Sequence, residues 1–76
     1  MRNTAAFANF VTMPTIIDAP GYYLTRGGER VLITKCTGAH SFGCTGTYSN
    51  GTLEAWHKSG RLYFGMQTVN DIVAKA

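Results

Sequence analysis

Cys44-Thr45-Gly46-Thr47-Tyr48-Ser49-Asn50-Gly51-Thr52-Leu53-Glu54-Ala55-Trp56-His57-Lys58-Ser59-Gly60-Arg61-Leu62-Tyr63-Phe64 holds the two turns on which the fold depends. Asn50-Gly51 and Ser59-Gly60 interrupt residues of strand propensity. Gly or Asn at positive φ suits the primed turns of tight two-residue hairpin loops. Such a loop at Asn50-Gly51 sets Tyr48 opposite Leu53, Gly46 opposite Ala55 and Cys44 opposite His57. A second at Ser59-Gly60 sets Lys58 opposite Arg61, His57 opposite Leu62 and Trp56 opposite Tyr63. Alternation along the strands then predicts a core face of Cys44, Gly46, Tyr48, Leu53, Ala55, His57, Leu62 and Phe64. The opposite face carries Thr45, Thr47, Glu54, Trp56, Lys58, Arg61 and Tyr63. A slip of one residue would reverse the assignment.

On the N-terminal side, Gly27-Gly28 reads as a third two-residue loop, with Leu24 opposite Val31 and Tyr22 opposite Ile33. Strands are expected near 21–26 and 29–36, making five in an antiparallel meander. Thr68, followed by Val69-Asn70-Asp71-Ile72-Val73-Ala74, reads as the N-cap of a helix of about two turns, with Asp71 placed to favour its dipole. Residues 1–20 contain Phe7, Phe10, Val11, Ile16 and Ile17 but are broken by Pro14 and Pro20. They read as an N-terminal arm with a short helix at 4–11 and an extended piece at 15–18. The expected fold is mainly β (α+β): a small twisted antiparallel β-meander with a short C-terminal helix, as one domain over 21–76 behind an arm over 1–20.

Seventy-six residues allow one thin core, and with 45% apolar and 14% charged residues the chain is too apolar for a disordered tail. The net charge of +3 comes from scattered Lys and Arg, a weak pointer to nucleic acid, and four acidic residues exclude a carboxylate-coated mimic of DNA. No run approaches the roughly 18 apolar residues of a membrane span, and no small-residue cleavage pattern follows the N-terminus. A reducing compartment is therefore expected, with Cys36 and Cys44 as free thiols. The apolar arm, with Phe7, Phe10, Ile16 and Ile17 exposed, points to a homo-oligomer.

Cys36, His40, Cys44 and His57 have the donor chemistry of a zinc site, but Cys-x3-His-x3-Cys is not a standard finger spacing and no Cys-x2-Cys knuckle is present. A cysteine nucleophile would need His40 or His57 as its base, and no carboxylate cluster, phosphate loop or nucleophile elbow accompanies them. No catalytic residue, metal or cofactor is assigned, and the protein is read as a non-enzyme. The sheet face opposite the core is the candidate binding site. Trp56, Tyr63, Lys58 and Arg61 form an aromatic platform with cations, suited to stacking a base and holding a phosphate. The same four also suit a place beneath the arm or an interface with another chain, and that role is favoured over base stacking.

Gly21-Tyr22-Tyr23-Leu24-Thr25-Arg26-Gly27-Gly28-Glu29-Arg30-Val31-Leu32-Ile33, the Trp56 to Arg61 turn and the closing Asn70-Asp71-Ile72-Val73 resemble short uncharacterised phage and prophage accessory proteins. In those, Tyr-x-Thr-Arg-x-Gly-x-x-Val-x-Ile, Trp-x-x-x-Gly-Arg and Asp-Ile-Val patterns recur, and the likeness covers 21–73. It implies a small protein of the bacterial cytoplasm that binds, and perturbs, a host defence or regulatory protein. A nucleotide or nucleic-acid binding module is the second expectation.

Overall fold

The computed structural model describes residues 14–76; the helix expected at 4–11 lies outside them. Five strands, β1 (Gly21–Thr25), β2 (Arg30–Cys36), β3 (Cys44–Thr47), β4 (Leu53–Trp56) and β5 (Ile72–Lys75), form one antiparallel sheet in the order β4-β3-β2-β1-β5. The first four are a meander, as expected. Among the described residues there is no helix, and none long and apolar enough to cross a membrane.

All three turns fall where the dipeptides put them, but each is one residue longer. Thr25 N donates to Glu29 O at 2.8 Å and Gly28 N to Thr25 O at 2.9 Å. The same pair of bonds recurs at Tyr48, Thr52 and Gly51, and again at His57, Arg61 and Gly60. Gly28, Gly51 and Gly60 take φ of 93°, 89° and 89°, while Asn50 and Ser59 are not at positive φ. These are three-residue loops in which a left-handed glycine closes the turn, rather than primed two-residue turns that would need Asn50 at positive φ.

The extra residue moves every register by one. Tyr23 pairs with Val31, Gly46 with Glu54 and Cys44 with Trp56. The face assignment of β4 is therefore reversed: Trp56 is fully buried while Leu53, expected in the core, is 76% exposed. The core comprises Ile17, Tyr23, Val31, Ile33, Cys44, Trp56 and Ile72, with Ile16, Cys36, Tyr48 and Leu62 packed against it. Trp56 Nε1 donates to Asn70 O at 3.0 Å, and its ring meets Tyr48 edge-on at 5.5 Å.

Residues 14–18, expected to be extended at 15–18, form no regular element, but Ile16 and Ile17 close the core. Ile16 N and Ile17 N both donate to Lys58 O, at 2.8 and 2.9 Å, and Ile17 is buried. Two of the four residues expected to make the arm adhesive are thus used within the chain. Phe7 and Phe10 lie outside the described residues.

The C-terminal helix is replaced by β5. Its local start signal is real: Thr68 N and Thr68 Oγ1 donate to the Asp71 carboxylate at 3.0 and 2.9 Å, close to the reciprocal bonding of a capping box. Ile72 to Lys75 nonetheless form a strand, because two turns of helix are marginal alone whereas the free edge of β1 offers a ladder to Ile72-Val73. The fifth strand expected at 61–64 does not form. Instead Ile72 N donates to Gly60 O at 2.8 Å, so the chain after β4 meets the outer edge of β5 and the sheet rolls over its core.

Candidate binding surface

The segment from Arg61 to Asn70 is tied down at both ends by one carboxylate, with Trp56 Nε1 and Gly27 N donating to the carbonyls of Asn70 and Val69 beside it. Asp71, fully buried, accepts from Leu62 N at 3.2 Å as well as from Thr68, and Arg26 and Arg61 approach it at 3.5 and 3.9 Å. Burial would push this carboxyl up, but the amides of Thr68 and Leu62, the Thr68 hydroxyl and the Arg26 guanidinium outweigh it and hold it below its ordinary value. The carboxylate therefore fixes an irregular segment to the sheet.

That segment presents a tight turn. Tyr63 and Met66 form an isolated antiparallel bridge, and Gly65 between them takes φ of 75°, as position i+2 of a type II turn requires. Tyr63, Phe64 and Met66 are each about half exposed, at 54%, 48% and 52%. Phe64 packs against Phe42 of the β2–β3 loop and His57 at the end of β4, with ring centroids 4.8 and 5.6 Å away; Phe42 and His57 are 5.7 Å apart. Three rings from three parts of the chain thus meet at one end of the sheet.

Beside them the 37–43 loop and His57-Lys58 enclose a cleft of about 330 Å³. This is at the small end for a ligand pocket. His57 Nδ1 accepts from Ser59 N at 3.1 Å and contacts Ser59 Oγ at 2.8 Å, so its ring proton sits on Nε2. Burial, then the neighbouring Lys58 charge, pushes its pKa down and keeps it neutral at physiological pH.

The four residues expected to share a platform do not. Trp56 is in the core, Lys58 lies in the turn that anchors Ile16 and Ile17, and Tyr63 stands on the next turn. Arg61 is drawn toward Asp71 and Met66 O. The one-residue lengthening of the turns is the cause. An aromatic and cation pair does occur on the outer sheet face, where the Arg30 guanidinium lies 4.5 Å from the centroid of the exposed Tyr22 ring. Sequence reasoning missed it by setting Tyr22 against Ile33. The alternation of Val31 and Ile33 about Leu32, with Arg30 one step before, is the signal that could have found it.

Among the described residues no group of three or more His, Cys, Asp or Glu is disposed to hold a metal, so Cys36, His40, Cys44 and His57 are not gathered as ligands. Burial, with Cys36 adding to it, raises the Cys44 thiol to about 11, the reverse of an activated nucleophile. No protein-family model, curated protein or solved structure matches the chain.

Proposed function

We propose that this domain is a small protein-binding module, of the kind a phage accessory factor uses on a host defence or regulatory protein, and that it binds through the end of the sheet carrying Tyr63, Phe64, Met66 and Phe42. The observation that carries this reading is the half-exposed Tyr63-Phe64-Gly65-Met66 turn, held by the buried Asp71 carboxylate. Aromatic residues and Met are enriched at protein interfaces, and a turn fixed before binding loses little entropy on docking.

A second reading, a nucleotide or nucleic-acid binder, is favoured by the Tyr22–Arg30 pair, a stacking face beside a fixed positive charge. Affinity capture from a bacterial lysate with the wild type, Phe64→Ser and Tyr22→Ala, each first checked for an unchanged melt, separates the two. The first reading expects a protein partner whose binding weakens by roughly 2 kcal/mol in Phe64→Ser and is retained by Tyr22→Ala. Salt-sensitive binding of single-stranded nucleic acid that is lost in Tyr22→Ala would instead establish the second.

A further inference from the structure

Cys36 and Cys44 are the chain's two cysteines, and they lie on adjacent strands. The register pairs them directly, Cys36 with Cys44, next to the position where Thr37 N donates to Gly43 O at 3.0 Å. Hydrogen-bonded and non-hydrogen-bonded positions alternate along an antiparallel ladder, so the cysteines occupy a non-hydrogen-bonded pair, the class with Cα atoms only about 4.5 Å apart. That separation is at the short end of the range a disulfide spans.

An irregularity in the ladder is what brings them together. Ile33 pairs with Gly46 but Lys35 with Thr45, so Thr34 is an extra residue in β2. Simple alternation from the buried Ile33 would send Cys36 to the outer face; the bulge returns it to the inner face, where it packs against the same core as Cys44. Gly46 accommodates the bulge, since a Cβ there would lie against the Leu32 carbonyl.

We infer that Cys36 and Cys44 form a redox-active dithiol, closing reversibly to an intrachain disulfide in response to a hydroperoxide or a low-molecular-weight disulfide. Cys36, the less buried of the two, meets the oxidant first. With a disulfide oxidant, its thiolate attacks one sulfur, forming a mixed disulfide and releasing one thiolate, which takes up a proton. The Cys44 sulfur then attacks Cys36 Sγ, loses its proton and expels the second small thiolate. Two protein thiols and one small disulfide give one protein disulfide and two small thiols. With a hydroperoxide, Cys36 becomes a sulfenic acid with release of the corresponding alcohol, or of water from hydrogen peroxide, and the attack of Cys44 on Cys36 Sγ then expels the sulfenic oxygen as one water. Burial raises the Cys44 thiol, which leaves the first attack to Cys36 and makes the intramolecular attack of Cys44 on Cys36 Sγ the slower step. Bridging ties together both ends of the 37–43 loop that carries His40 and Phe42, and the inference stands whether or not that loop contacts a partner.

The test is equilibration of the folded, full-length protein in buffers of stepped reduced-to-oxidised glutathione ratio, with subsequent alkylation, intact mass and peptide mapping. The expected result is loss of two hydrogens and of both alkylatable thiols, a Cys36–Cys44 peptide, independence of protein concentration and full return with dithiothreitol. Cys44→Ser should stop at the Cys36 mixed disulfide. Two free thiols persisting in oxidised glutathione while the urea-unfolded chain bridges, or only mixed and interchain disulfides in the folded wild type, would overturn the inference.

Discussion

Replacing Asp71 with alanine removes the carboxylate that accepts from Leu62 N, Thr68 N and Thr68 Oγ1 and faces Arg26 and Arg61. The hydroxyl can turn to another partner, and Arg26, 40% exposed, can turn to water, so neither counts for much. The two amides are partly buried, and each left without an acceptor costs about 1–2 kcal/mol. The expected loss is therefore roughly 2–4 kcal/mol. A domain of 76 residues has a total of about 4–11 kcal/mol, so the variant should sit near the edge of folding. Urea denaturation of wild type and Asp71→Ala at pH 7 measures the difference, and a loss under about 1 kcal/mol would refute the role given to this carboxylate.

The same pair of proteins gives a pH test. The Asp71 carboxyl is held below its ordinary value in the folded state. Its contribution is therefore fully present above the unfolded value of about 4 and is lost as pH falls through the lower folded value. The gap between wild type and Asp71→Ala should hold from pH 7 to about 5 and narrow below about 4. His57, also depressed, makes both proteins less stable as pH falls below about 6.5, and this shared slope cancels in the difference.

Trp56→Ala should cost about 3–5 kcal/mol by emptying a fully buried site, measured by circular dichroism in urea; a small loss of stability with a large loss of binding would return Trp56 to the surface. Gly60 and Gly51 share a φ of 89°, but a Cβ at Gly60 would lie against the Ile72 carbonyl whereas at Gly51 it would meet open space. Gly51→Ala should therefore cost about 1 kcal/mol for the left-handed backbone alone, and Gly60→Ala distinctly more; equal melting shifts would contradict the contact between Gly60 and β5.

The positions of β1 to β4 and of the three turns were legible because Gly28, Gly51 and Gly60 punctuate the chain so strongly. The length of each turn was not. Two-residue and three-residue loops both place a glycine after a turn former, and the difference lies in whether the preceding Gly27, Asn50 or Ser59 takes positive φ. That single residue decides the face of Trp56, and with it the candidate site. The β-branched alternation of Val31 and Ile33, read together with the Trp56 to Cys44 pairing that a longer loop gives, would have favoured the observed register. The C-terminus misled in a different way. Thr68 and Asp71 carry a true local capping interaction, but the free edge of β1 decides what Ile72 to Lys75 become. No local pattern reports that edge. The Tyr63–Met66 turn was hidden because its exposed apolar residues read as one more strand.

For the binding surface, the sharpest measurement is titration of the partner recovered with the wild type into isotope-labelled protein, read through the amide resonances. The perturbed amides should cluster at 40–43, 57–58 and 62–67, around Phe42, His57 and the Tyr63–Met66 turn. Perturbations confined to Tyr22, Arg30, Leu32 and Thr47 on the outer sheet face, with the 62–67 resonances unmoved, would contradict a site at that end of the sheet.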